Sequence, residues 1–352
     1  MFRWFHNDVF RICAYVVAAV ALGAAISPFL YNLGMGIAEV TRGKETNSVV
    51  TWLGDAAWRA RDNFPRYFDR ALMLSAVLLL PFLLIWLRLG RDPLRDEPWS
   101  VGVPNAASSL RGQRLSWSPR GLGFGLFGFL IAGGLLMLSG IMLLHAGFFM
   151  WRDAECSTRG AVNPVVTGID WLRALRKSLP TAVVVSFIEE VLFRGVLLGI
   201  FLRVMKPWPA VFSLSLIFAL VHFLEPPPGV KVPDPEAVNA GFILLGQILG
   251  RLLEPSEFIG RFLGLFAVGV ILAMARLRTG SLWLPIGLHA GWVFAYQLFK
   301  SATWGVADLP EASRWLVGRT LIEGTVPLTV TVVTGILVMA MTRPSDASTG
   351  HG

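Results

Sequence analysis

Long apolar runs alternate with polar stretches along the whole chain. Runs near residues 10–33, 71–89, 121–148, 180–202, 207–224, 257–275, 281–300 and 322–342 each approach the roughly 20 residues a helix needs to cross the hydrocarbon of a bilayer. They are rich in Leu, Val, Ala and Gly and lack period-2 alternation, so they predict helices rather than barrel strands. The pattern as a whole predicts an all-α fold, a polytopic membrane helix bundle of about eight transmembrane helices. Between the first two runs, Met35 to Asp69 is polar and mixed in charge, and its Trp52, Trp58 and Tyr67 suit a partly helical element at the membrane interface. Arg91 to Arg120 contains Pro93, Pro98, Pro104 and Pro119 and reads as a loop. Glu225–Pro226–Pro227–Pro228–Gly229 stops the fifth run sharply. Ala240 to Leu253 is apolar again but short for a span, which predicts a re-entrant or interfacial segment.

Composition strengthens the membrane assignment. Hydrophobic residues make up 54% of the chain and charged residues 15%, against roughly 25% charged in soluble domains. The formal net charge of +8 excludes nothing by itself, but the Lys and Arg lie in connections beside the apolar runs. That placement points to membrane lipids with anionic headgroups as partners and to no nucleic acid. Basic residues divide almost evenly between alternate connections, so the charge rule sets no orientation. Cys13 sits in an apolar run and Cys156 in a polar one, which disfavours a disulfide and gives no zinc-cluster spacing. The first apolar run is long and lacks a small-x-small site before polar sequence, so no cleavable signal is expected.

Ionisable residues inside a span are costly, at least about 2.5–3.5 kcal/mol each on insertion scales. The fourth run holds three: Glu189, Glu190 and Arg194, flanked by Val183–Val184–Val185 and Val196–Leu197–Leu198. Glu190 and Arg194 stand four apart in the acid-first order, so they are expected to pair along one helix face. Glu189 is rotated by about 100° from Glu190. It is expected to face a cavity and to serve as a general base for water. Two histidines lie in later runs. His222 follows Phe218 by one turn, and His289 is surrounded by the small residues Gly287, Ala290 and Gly291, which let another helix approach closely. Two imidazoles and a carboxylate can hold a metal, or can polarise a carbonyl and an attacking water without one. Blander readings exist. A lone membrane histidine is more often a helix-to-helix hydrogen-bond partner, and a Glu–Arg pair is often structural. His145, near Trp151, suits an interfacial role.

Glu-Glu-x-x-x-Arg at 189–194, Phe-x-x-x-His at 218–222 and His-Ala at 289–290, in that order on separate runs, resemble the CAAX-protease and bacteriocin-processing (CPBP or Abi) family, whose members include type II CAAX prenyl endopeptidases. The likeness covers about residues 178 to 300. It implies that Glu189 activates water, that Glu190 and Arg194 support the site, and that His222 and His289 bind the water, the oxyanion or a metal. It further implies a hydrolase, an endopeptidase acting by intramembrane proteolysis on a membrane-embedded or lipidated protein or peptide substrate. The family is described both as metalloprotease and as metal-independent glutamate protease. Zinc held by Glu189, His222 and His289 is therefore one implied cofactor arrangement, and none the other. One position departs from the family pattern: where an Asn or Asp usually follows the last histidine by one turn, this chain has Val293. Gln297 lies a further turn on, about 6 Å along the axis. If the missing group stabilised the oxyanion, its loss weakens that stabilisation by about 2.7–4 kcal/mol.

These readings divide the chain into N-terminal membrane helices and loops (1–177), a CPBP-like catalytic core (178–300), and a final membrane helix with a polar tail (301–352). The expected function is an intramembrane endopeptidase in a bacterial inner (cell) membrane. The alternative, motivated by Val293, is a catalytically inactive relative acting as a membrane immunity or scaffold protein. A proton or ion pathway is a third use for buried ionisable residues, but no inverted repeat stands out to support it.

Overall fold

The computed structural model describes residues 8–41, 63–86, 119–152, 169–224, 230–251, 255–306 and 320–342, with Gly54, 57–58, Pro226, Ser313 and 315–318 between them. Nearly all of this is helix. The helices are α1 (Asp8–Thr41), α2 (Phe64–Trp86), α3 (Pro119–His145), α4 (Trp171–Glu190), a π-helix (Val191–Leu197), α5 (Leu198–Val204), α6 (Pro207–His222), α7 (Ala240–Arg251), α8 (Pro255–Thr279), α9 (Trp283–Ala302) and α10 (Thr325–Met341). Two strands, β1 (Phe149–Trp151) and β2 (Thr303–Gly305), form a short antiparallel pair with Met150 opposite Trp304. Each apolar run read from the sequence contributes a helix. Among the described residues three stretches are long and apolar enough to cross a membrane, Phe10–Thr41, Gly121–His145 and Ile259–Thr279, and Pro207–His222, Ala240–Gly250 and Thr325–Met341 are shorter apolar helices. The chain is an integral membrane protein by this measure. Nearly all of the loop expected at Arg91 to Arg120 lies outside the described residues, as do Trp52, Pro227 to Gly229, Cys156 and the polar tail.

The chain divides into two compact units, Met1–Asp96 with Leu220–Phe258, and Glu97–Ala219 with Ile259–Gly352. In the first unit, α1 and α2 pack closely. Tyr15 donates its hydroxyl to the Ala76 carbonyl at 2.6 Å, and Tyr31 sets its ring edge-to-face against Phe64 and Tyr67. Helix α7 buries Ala240, Leu244 and Ile248 in the same core and leaves Phe242, Ile243 and Leu249 exposed. At 12 residues it is about 18 Å long, too short to span. Gly241 lies so close to the Ala24 carbonyl of α1 that a side chain there would overlap it. The described part of the segment expected to be re-entrant or interfacial, Ala240–Arg251, is thus a short helix fastened to α1.

The second unit is built around α9. Helix α3 runs parallel to it at very close range, because glycines meet glycines: Gly125 faces Gly287, Gly128 faces Leu284 and Leu288, and Gly133 faces Gly291. A β-carbon at Gly128 would lie 2.8 Å from the Leu288 nitrogen, so only glycine permits this approach. The small residues around His289 therefore do what their spacing predicted, admitting a neighbouring helix, and α3 is that helix. Helix α4 packs on α9 with a stripe of buried residues at every fourth position: Ala174, Ser178, Ala182, Ser186 and Glu190. Its opposite face, Val183, Val184, Phe187 and Ile188, is exposed and apolar, as lipid contact requires. The directions follow from the two ends. Trp171, at the start of α4, meets Trp151 edge to face at 6.2 Å, and Trp151 pairs with Thr303 just beyond the end of α9. Glu190, at the far end of α4, reaches His289 in the early part of α9. Helices α4 and α9 are therefore antiparallel.

Candidate active site

The site is laid out along one length of chain. Asp170 caps α4 by accepting the backbone N–H of Arg173 at 2.9 Å, and the helix then runs without a break to Glu190. At Val191 the hydrogen bonding widens into a π-helix of seven residues. Such wide turns are uncommon and concentrate at functional sites. Here the wide turn follows both glutamates and contains Arg194. Six successive residues, Phe193 to Leu198, are buried, more than one stripe of a regular α-helix would bury.

Glu190 is fully buried and Arg194 is 1% exposed. Arg194 Nη1 donates to Glu190 Oε1 at 2.8 Å, the pairing that the four-residue spacing predicted. The rest of the guanidinium environment was not legible in the sequence. Nη2 donates to the Gly269 carbonyl of α8 at 3.3 Å, and the cation lies 4.4 Å from the Phe218 ring centroid and 5.7 Å from that of Phe193. Two aromatic faces and one carbonyl thus share with Glu190 the task of holding a desolvated cation. Phe218 does more, because its ring also meets His289 at 6.1 Å, edge to face. The first residue of Phe-x-x-x-His is therefore a wall between Arg194 and His289.

His289 is nearly buried and stands between the two acids. Its Nδ1 donates to Glu190 Oε1 at 2.8 Å, and its Nε2 lies 3.9 Å from Glu189 Oε2. The sequence reading linked His289 to Glu189 and Glu190 to Arg194. The structure adds a link between the two pairs, because one oxygen of Glu190 receives both Arg194 and His289. An ionised carboxylate at Nδ1 holds the proton there and leaves the Nε2 lone pair directed toward Glu189. Glu189 has a side chain 27% exposed, whereas Glu190 has none exposed. The adjacent acids have separate environments, as the rotation between them predicted.

His222 is the last residue of α6, partly buried, and belongs to the first unit. Val293 and Gln297 are partly buried on α9. His145 ends α3 with Nδ1 at 2.8 Å from the Ile141 carbonyl, and is a helix-end residue. Among the described residues no group of three or more His, Cys, Asp or Glu stands close enough to hold a metal ion. Of the expected zinc set, Glu189 and His289 lie in the second unit and His222 in the first.

Residues 171–295 match the family model of the type II CAAX prenyl endopeptidase Rce1-like proteins. The chain carries an Rce1-like domain. The domain begins at Trp171, the first residue of α4, and ends within α9. It contains Glu189, Glu190, Arg194, His222 and His289, and it covers less than half of the 352 residues. No similar curated protein and no similar solved structure was found. The family points to CAAX prenyl endopeptidase activity, a proteolytic function at the membrane.

Proposed function

We propose that the protein is a multi-pass intramembrane endopeptidase that hydrolyses a peptide bond in a prenylated or otherwise membrane-associated protein or peptide. The observation that carries this reading is the place of His289 between Glu190 and Glu189. Two hydrogen bonds of about 2.8 Å, one from Nε2 and one from Glu189 Oε2, meet at an angle near 90° when the atoms are 3.9 Å apart. A water at that point donates one proton to Nε2 and the other toward Glu189, and keeps an oxygen lone pair for attack. Glu189 takes the proton as the new carbon–oxygen bond forms at the scissile carbonyl. When the tetrahedral intermediate collapses, the carbon–nitrogen bond breaks and Glu189 returns the proton to the leaving amine. The products are a carboxylate and an amine. Glu190 and Arg194 fix the ring and its tautomer. His222 is assigned, on the strength of the motif, to polarise the carbonyl oxygen. The same reading sets the chain in a bacterial inner (cell) membrane, with the eight apolar runs of the sequence, rather than α7, taken as its spans.

The test is cleavage of a fluorogenic peptide bearing a farnesylated cysteine followed by three residues, by protein purified in detergent. Wild type cleaves after the modified cysteine. Glu189→Gln keeps the shape but not the base, and turnover falls by about 10²- to 10⁴-fold. Equal cleavage by both proteins would falsify the assignment of Glu189. Val293 motivates a second reading, an inactive relative that retains the helix bundle for immunity or scaffolding. That reading predicts no cleavage by the wild type.

A further inference from the structure

Hydroxyl groups inside membrane helices ordinarily return their proton to a backbone carbonyl three or four residues earlier. This chain follows the habit at Ser27, Ser75, Ser139, Thr331, Thr334 and Thr342. Ser186 does not. It is fully buried, and its Oγ has no hydrogen-bond partner among the described residues. An unsatisfied buried donor is destabilising, and the penalty ends when an acceptor arrives.

The level of Ser186 in the bundle says which acceptor. Ser186 lies one turn before Glu190 on the stripe of α4 that packs against α9. Because α4 and α9 are antiparallel, the step back from Glu190 to Ser186 leads in the same direction as the step from His289 to Val293. Both steps are about 6 Å. Ser186 therefore stands on α4 at the level that Val293 occupies on α9, where this chain lacks a polar side chain. Trp292, three residues after His289, is also buried, and its Nε1 likewise has no partner among the described residues. Trp292 belongs to the apolar core around α9, whereas Ser186 lies on the same buried stripe as Glu190.

We infer that Ser186 supplies from α4 the hydrogen bond that Val293 cannot supply from α9, donating its hydroxyl to the oxygen that gains negative charge as water adds to the scissile carbonyl. This rests on the endopeptidase reading. The donor is idle in the free protein and engaged in the transition state, the condition for raising kcat rather than lowering KM.

The experiment compares four proteins in detergent on the farnesylated peptide: wild type, Ser186→Ala, Ser186→Ala with Val293→Asn, and Glu189→Gln. Alanine already occupies the same stripe at 174 and 182, so Ser186→Ala keeps the helix contact, and gel filtration with thermal unfolding verifies it. Ser186→Ala is expected to lower kcat by about a hundredfold with KM little changed. Adding Val293→Asn is expected to restore most of the loss, which a purely packing role for Ser186 would not allow. Wild-type kcat in Ser186→Ala, or a loss that Val293→Asn leaves untouched, overturns the inference while the endopeptidase reading stands. Full cleavage by Glu189→Gln, or none by wild type, removes the endopeptidase reading and this inference with it.

Discussion

The Glu190–Arg194 pair allows stability and catalysis to be separated by substitution. Glu190→Gln keeps the shape of the side chain and an oxygen for His289 Nδ1, but removes the charge opposite Arg194. The guanidinium is then left 1% exposed with one carbonyl at 3.3 Å and two ring faces. Leaving a buried charge without its partner costs about 3–5 kcal/mol. Glu189→Gln alters a side chain 27% exposed and is expected to cost less than about 1 kcal/mol. Replacing the whole pair by Glu190→Gln with Arg194→Met removes the stranded charge and offers a flexible thioether to Phe193 and Phe218. Exchanging a buried pair for apolar groups is often neutral. Unfolding in detergent, followed by tryptophan fluorescence, should rank Glu190→Gln lowest, the double variant clearly above it, and Glu189→Gln near wild type. The double variant should nevertheless fail to cleave peptide, because no anion fixes the proton on His289 Nδ1. If Glu190→Gln unfolds at the same point as Glu189→Gln, or the double variant is no more stable than the single, the buried-charge argument is wrong.

Two further outcomes are expected. Gly287→Ala forces α9 away from the Gly125 carbonyl and shifts His289 two residues later, so it should cost about 1–3 kcal/mol and most of the activity. Gly134→Ala on α3, where an added β-carbon meets nothing within 4 Å, should match wild type in the same unfolding and cleavage assays, and equal damage at both sites refutes the close-crossing account. Chelation with EDTA or phenanthroline should leave cleavage intact, because the proposed step holds its water with Glu189 and His289 alone; a loss restored by added zinc, matched by zinc in the purified protein, overturns that expectation.

What the sequence made legible was periodic or local. Apolar runs located the helices, the four-residue spacing of Glu190 and Arg194 gave their bond, and Gly287 and Gly291 announced a close crossing. The start of α4 escaped the hydropathy pattern because Arg173, Arg176 and Lys177 interrupt it on exposed positions. The Asp170 cap was the signal available for it. The π-helix had no signal of this kind. A widened turn depends on what surrounds it, here a buried cation needing partners on α6 and α8, and neither apolar period nor propensity encodes such contacts.

The same limit explains why the double contact of His289 was hidden. Spacing along one helix relates Glu189 to Glu190 and Glu190 to Arg194, but says nothing about a ring 99 residues away. That ring is set by α3. Three glycines on one helix and two on the other remove the side chains that would hold α9 off, and α9 in turn presents His289 to the end of α4. The adjacent acids then divide by exposure: one is sealed with its cation, and the other keeps an opening. The bundle thus buries Glu190 against an imidazole and leaves Glu189 partly open beside the same imidazole, two environments for two chemically identical groups. A structural ion pair needs only the first of them, and the second is the group that the proposed hydrolysis uses as its base, so the Glu189→Gln assay separates the endopeptidase from a scaffold.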